Sequence, residues 1–127
     1  MDDTEFHTEQ MAAFRRFARR LEEHVKAPGN AHLAPLAEQM AGLAGDDGSR
    51  IMDDAPPLVA RMLTTAPQLA EVFPRDLLWY LGSECLHFMP DDEIDGFARL
   101  DEERRDAAER GETFRWGDAR ASVLKLQ

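Results

Sequence analysis

The sequence has little cysteine and no long apolar run, and both shortages exclude whole classes of protein. Its one cysteine, Cys85, has no partner for an internal disulfide. No window of about eighteen consecutive apolar residues exists, which excludes a transmembrane helix. The first ten residues are acidic and polar, and they lack the basic start and apolar segment of a signal peptide. These absences predict a protein of the reducing cytoplasm.

Recognisable catalytic motifs are missing as well. The chain has no glycine-rich phosphate loop, no serine nucleophile elbow, no cysteine pair at zinc spacing and no His-Glu-x-x-His. Cofactors other than a metal ion are therefore not expected. The balance of these observations favours a protein that is not an enzyme.

Composition predicts one soluble globular domain. The 127 residues are 43% hydrophobic and 31% charged, which is enough apolar surface for a core. We therefore expect a single domain over residues 1–127, with flexible ends at the first few residues and at 112–127. The net charge of −10 disfavours nucleic acid and anionic membrane as partners, since both require clustered basic residues.

The residue pattern predicts an all-α fold of five or six helices. Ala, Leu, Arg and Glu are frequent, Val and Ile are scarce, and alternating β-branched runs are absent. Proline and glycine divide the chain into segments, and residues 45–49 form the clearest loop, which we expect to be mobile. The predicted helices begin near Thr4 or Thr8, at Asn30, at Asp54, at 74 and at 90, with a short helical turn over 68–73. The last segment either forms a short helix over 118–126 or is a tail that orders only against a partner.

The pattern of apolar residues over 74–88 predicts a central helix that is apolar on nearly every side. The following segment, 90–111, is charged on nearly every side, and Pro90 separates the two. A helix that is apolar all round is normally buried, whereas a helix with a thin apolar stripe normally faces water. We therefore expect the first to form the centre of the fold and the second its outer wall.

One spacing in this central segment is typical of a metal ligand pair. Glu84 and His87 are three residues apart, so their side chains share a helix face, as in di-iron and di-manganese carboxylate bundles. The full motif needs a second pair and further glutamates, which a homodimer and Glu22, Glu23 or Glu38 would have to supply. The simpler alternative is that the pair is satisfied locally or by solvent. Cys85 points away from His87 on a helix and is expected to be a buried apolar residue.

The first helix carries a basic stripe formed by Arg15, Arg16, Arg19 and Arg20. Residues 8–27 carry five basic and three acidic side chains, in contrast to the acidic rest of the chain. The stripe is a candidate contact surface for a protein, a second copy or an anion. The alternative is a solvated face with weak local pairs to Glu22 and Glu23.

The acidic segment and the aromatic residues after it suggest further contacts. Residues 90–112 carry ten acidic and four basic side chains, which is compatible with mimicry of nucleic acid toward a basic partner. Interleaved arginines favour a solvent-facing helix with i,i+4 ion pairs instead. Phe114 and Trp116 either pack back on the domain or contact a partner, and surplus apolar surface favours a homodimer.

The run from Pro74 to Trp79 and the run from Leu86 to Ile94 resemble a small family of uncharacterised proteobacterial proteins. The resemblance covers the C-terminal half of the chain. It implies a bacterial cytoplasmic protein, and it assigns no activity and no functional residue.

Taken together, the residues favour a small acidic, non-catalytic interaction or regulatory protein that self-associates. The candidate contact residues are Arg15, Arg16, Arg19, Arg20, Phe114 and Trp116. The first alternative is a metal-binding helical bundle that uses Glu84 and His87. The second alternative is an acidic inhibitor of a basic nucleic-acid-binding protein.

Overall fold

The computed structural model describes residues 3–45 and 49–124, with side chains described as far as residue 122. These residues contain no strand, which confirms the all-α prediction. None of the described helices combines the length and the apolar character needed to cross a membrane. The α-helices are α1 (Asp3–His24), α2 (Ala34–Ala44), α3 (Ile51–Thr65), α4 (Arg75–Leu81), α5 (Asp91–Glu109) and α6 (Trp116–Leu124).

The described residues divide into two compact units, of which the first comprises residues 3–9 and 89–124. It contains the first turns of α1 together with α5 and α6, and α5 packs against α6. Its core is aromatic, since Phe6, Phe97 and Trp116 are each at most 5% exposed. α5 begins after Pro90 with three acidic residues in its first turn, where carboxylates stabilise the helix dipole, as predicted.

The second unit comprises residues 10–88 and holds the larger apolar core. It contains the rest of α1 with α2, α3 and α4, and two short 3₁₀ helices, Pro67–Glu71 and Ser83–Phe88, that pack against α3. The fully buried side chains that fill this core are Phe14, Leu21, Leu33, Met40, Ile51, Met62, Leu63, Phe73, Leu77 and Leu78.

The continuous helix predicted over 74–88 is wrong in its extent. α4 ends at Leu81, and Ser83–Phe88 continues as a 3₁₀ helix. The break lies at Gly82, whose backbone angles of φ 64° and ψ −149° are accessible essentially to glycine alone. The segment is nevertheless apolar and partly buried as expected, with Leu77, Leu78 and Cys85 inside the second unit.

Two other helix starts differ from the predictions. α3 begins at Ile51 rather than near Asp54, so Pro56 and Pro57 lie inside the helix instead of in its first turn. Asn30 does not cap α2, because its side-chain amide donates to the His24 carbonyl at 3.1 Å and so helps to close the end of α1.

Some predictions fall on residues outside the described ranges. Within the predicted mobile loop 45–49, residues 46–48 are not described, and neither are residues 1–2 or 125–127 at the ends. The predicted final helix is present as α6, which begins at Trp116 rather than Asp118, and its predicted last residue, Leu126, is one of those outside.

Candidate interaction surface

The predicted basic stripe lies on the solvent side of α1. Arg16, Arg19 and Arg20 are exposed, while the buried residues of the same turns, such as Phe17, point into the second unit. Arg15 is half-buried and differs in role, because its Nε donates to the Ala44 carbonyl at the end of α2 at 3.3 Å. The four arginines of the prediction therefore separate into one structural residue and three exposed ones.

The three exposed guanidinium groups have no ion pair or hydrogen bond with any residue that the structure describes. The local pairs expected with Glu22 and Glu23 do not form, since Glu23 instead pairs with Lys26 at 3.0 Å. Like charges at spacings of three and four repel weakly on a helix, and Glu22, which lines a recess with Arg19, forms no ion pair with it. The stripe is thus a patch of unpaired positive charge in a chain of net charge −10.

An apolar recess of about 100 Å³ adjoins the stripe at Arg20. Phe17, Leu21 and Leu69 line it, together with Val72. Val72 is 63% exposed and is the one large apolar side chain that the described part of the chain leaves exposed. Nothing in the sequence singled it out, because its exposure depends on which neighbours fail to cover it. An arginine next to an exposed apolar side chain has the composition of a protein interface.

The outer face of α5 carries a complementary stripe of carboxylates. Asp95, Glu102, Asp106 and Glu109 are exposed and lie within roughly 60° of one another on the helix. They form no ion pair within the described structure, whereas Arg99 pairs with Glu103 at 3.6 Å. The predicted i,i+4 pairing is therefore present but does not include this stripe, of which Asp106 acts only through its charge on Arg110.

The two aromatic residues among the predicted contact residues have different environments. Trp116 is only 5% exposed, and its ring centroid lies 4.5 Å from that of Phe6 and 6.4 Å from that of Phe97. Phe114 is half-buried against the same indole at 6.3 Å. Trp116 thus packs back on its own unit, which is the first of the two alternatives given by the sequence.

Glu84 and His87 lie one turn apart on the 3₁₀ helix Ser83–Phe88, where residues at i and i+3 eclipse each other. Both are exposed, and neither forms an ion pair or a hydrogen bond with a described residue. Within the described ranges, no three His, Cys, Asp or Glu side chains are gathered as a metal site would require. The two residues share one face of the 3₁₀ helix, as their spacing indicated. Metal binding by them stays a prediction.

Cys85 is fully buried between these two positions. Its Sγ lies 3.7 Å from the Pro56 carbonyl, toward which the thiol donates. Burial, together with the negative charge of Glu84, raises the pKa of the Cys85 thiol to about 12. A thiol that stays protonated and enclosed is a poor nucleophile, so this cysteine acts as a core residue.

Comparison with known proteins places the chain in a family. The family model described as PA2817-like matches residues 2–127, and the chain belongs to this family. The match confirms the resemblance to an uncharacterised family and extends it from the C-terminal half to nearly the whole chain. Neither a curated protein nor a solved structure matches the chain significantly.

Proposed function

We propose that this protein is a small, non-catalytic interaction module of the cytoplasm that self-associates. The surface we propose is the α1 patch, which we define as Arg16, Arg19, Arg20 and Val72. Two observations carry the proposal: three exposed guanidinium groups have no described ion-pair or hydrogen-bond partner, and the exposed Val72 lines a recess together with one of them, Arg20.

Charge complementarity makes a second copy the occupant we favour. The carboxylate stripe of α5, defined by Asp95, Glu102, Asp106 and Glu109, offers exposed acidic groups of the opposite sign. Side-chain pairs of this kind act mainly on specificity and association rate. The affinity would come from the apolar contact at Val72, since buried apolar anchors dominate interface energetics.

A charge-swap experiment tests the proposal. The first variant is Arg16→Glu/Arg19→Glu/Arg20→Glu, which takes the net charge from −10 to −16 through three reversals of two charges each. The second is Asp95→Lys/Glu102→Lys/Asp106→Lys, which takes it from −10 to −4 in the same way. Each variant alone opposes like charges at the contact. A mixture of the two restores every opposite pair, and its total charge equals that of two wild-type copies.

We expect the wild type to be a dimer by light scattering, each variant alone to be a monomer, and the mixture to form a mixed dimer. Arg16→Lys/Arg19→Lys/Arg20→Lys is the matched control, because it keeps the charge, and it should remain dimeric. Weak specific contacts have dissociation constants of about 1 mM. A wild type that stays monomeric up to that protein concentration would refute self-association. A dimer that survives both triple reversals would show that the contact lies elsewhere.

Val72 supplies an independent test of the apolar part. Val72→Asp adds a charge to a side chain that is 63% exposed, so the fold should tolerate it. The same change should weaken association about tenfold or more by placing an unpaired charge in the contact. Val25, which is half-buried directly after the end of α1, would by contrast lose stability on that substitution and serves as the comparison.

A further inference from the structure

A groove separates α2 from α3 on a part of the second unit that contains none of the α1 patch. Its volume is about 530 Å³, within the range of small-molecule sites. Leu43 of α2 and Pro57 and Leu58 of α3 supply its apolar wall. The polar groups at its edge are Gln39, Arg50, Asp54 and Arg61.

The charged groups are arranged along one side of α3. Arg50 and Arg61 are eleven residues apart, which puts them on the same helix face at a separation of roughly 16 Å along the axis. Arg50 is compensated, since its Nε donates to an Asp54 carboxylate oxygen at 3.2 Å. Arg61 lines the groove at the other end and forms no ion pair or hydrogen bond with a described residue. The groove is therefore cationic at one end only.

The apolar wall lies between these two ends. Pro57 and Leu58 precede Arg61 by one turn on α3, and Leu43 faces them from α2. An anion at Arg50 would meet the carboxylate of Asp54, whereas an anion at Arg61 meets no acidic group among the lining residues. The arrangement suits a ligand with an anionic head at Arg61 and an apolar body extending away from it.

Gly42 keeps this groove open. It lies inside α2, where glycine is unfavourable for a helix, and a Cβ built on it would meet no atom within 4 Å. A longer side chain at this position would extend into free space that belongs to the groove. A larger side chain substituted for Gly42 can therefore occupy part of the groove without a steric clash.

We propose that the groove between α2 and α3 binds a small amphipathic anion, with its carboxylate or phosphate head on Arg61 and its apolar body against Leu43, Pro57 and Leu58. Arginine binds either head through paired N–H donors. The proposal is separate from self-association through the α1 patch, because it concerns other residues and a different class of partner.

Titration with octanoate and with octyl phosphate tests the proposal in the full-length protein. Backbone amide shifts are followed by NMR, so that the site and the affinity are measured together. Octanol and octylamine have the same alkyl chain and replace the anionic head by a neutral and by a cationic one. We expect saturable shifts in α2 and α3 for the two anions, and binding weaker by about tenfold or more for octanol and octylamine. The tighter of the two anions identifies the head group.

Two variants separate the head contact from the apolar contact. Arg61→Gln should weaken binding of both anions about tenfold or more, and Arg105→Gln, an exposed arginine of α5 without an ion pair, is the matched control that should not. Gly42→Leu should weaken binding by narrowing the groove, while Leu favours the helix over Gly and so preserves α2. Gly117→Leu makes the same change on α6, where a Cβ also meets no atom within 4 Å, and should leave binding unchanged.

The opposite results would overturn the proposal. They are the absence of saturable binding of either anion up to about 5 mM, equal affinity for octanol, shifts that map outside α2 and α3, or unchanged affinity in both Arg61→Gln and Gly42→Leu. Because the titration reports ligand affinity and light scattering reports mass, failure of this proposal is distinguishable from failure of self-association.

Discussion

The substitution Trp116→Ala tests the organisation of the first unit most directly. The indole is 5% exposed and packs against three aromatic rings, those of Phe6, Phe97 and Phe114, at centroid distances between 4.5 and 6.4 Å. Truncation of a buried tryptophan to alanine costs about 3–5 kcal/mol through lost transfer energy and the cavity left behind. Aromatic pairs add about 0.5–1.5 kcal/mol each beyond area burial, which favours the upper part of that range.

The matched comparison is Trp79→Ala, because the chain has only these two tryptophans. Trp79 lies in the segment 74–88 that the sequence pattern predicted as a buried central helix, but its side chain is only half-buried. Its truncation should therefore cost clearly less than that of Trp116. With one tryptophan removed, the fluorescence of the other reports unfolding of its own unit, and circular dichroism reports loss of helix in both.

Urea unfolding measures the two costs. With a denaturant slope of about 2 kcal/mol/M for a chain of this size, a loss of 3–5 kcal/mol lowers the midpoint by about 1.5–2.5 M. We expect this shift for Trp116→Ala and a smaller one for Trp79→Ala. A wild-type midpoint in Trp116→Ala, together with a large drop in Trp79→Ala, would refute the aromatic core described for the first unit.

Three further predictions concern single residues. The pKa of the Cys85 thiol is raised in the folded state from its ordinary value of 9.0 to about 12, so stability is fully present below pH 9 and falls between pH 9 and 12 as the unfolded thiol ionises. The alkaline loss, up to about 1.4 kcal/mol per pH unit, should shrink in Cys85→Ala measured by urea unfolding, and equal slopes would contradict it. Gly82→Ala should lower the free energy of unfolding by about 1–3 kcal/mol, since alanine is strained at φ 64° and ψ −149°, and Gly117→Ala should not. Arg16→Glu should stabilise α1 in the monomer by about 0.2–0.5 kcal/mol for each new pair with Arg19 or Arg20, and it should weaken association. Urea unfolding measures the stability and light scattering measures the association. A loss of monomer stability together with weaker association would show that Arg16 is structural.

Local sequence signals predicted α5 well because its ends are determined locally. Pro90 cannot continue a preceding helix, and the acidic residues after it stabilise a helix start. Gly111, at φ 71°, terminates the segment in the conformation that glycine adopts most easily. Phe97 and Leu100 then bury one face of the helix, as their spacing indicated.

The wrong boundaries are those where packing overrides local preference. Pro56 and Pro57 argue for a helix that starts just before them, because proline in a helix interior removes a hydrogen bond. α3 nevertheless begins at Ile51, and both Ile51 and Ala55 are completely buried, so tertiary contacts compensate for the prolines. At Gly82 the apolar run is interrupted by glycine, serine and glutamate, but it resumes at Cys85, so periodicity alone did not reveal that the backbone turns there.

The candidate surface was predictable in its charge and not in its apolar part. Arg16, Arg19 and Arg20 lie outside the apolar stripe of Phe14, Phe17 and Leu21, so their common exposure follows from the amphipathic pattern. That Val72 lies exposed beside Arg20 depends on contacts between distant segments, which no single segment encodes. The groove at Arg61 depends in the same way on how α2 packs against α3.

The absence of partners for the α1 arginines has a meaning that exposure alone does not have. A single exposed charge in water is well solvated, and pairing it contributes at most about 1 kcal/mol, so one unpaired arginine does not by itself destabilise the monomer. Three at spacings of three and four repel one another, and neither of the two glutamates that follow them on the helix forms an ion pair with them. The stripe therefore costs the isolated monomer a little stability, whereas acidic groups from a second copy would remove the repulsion and add favourable pairs. The same local rule makes the carboxylate stripe of α5 slightly unfavourable on its own, so contact between the two stripes relieves both at once.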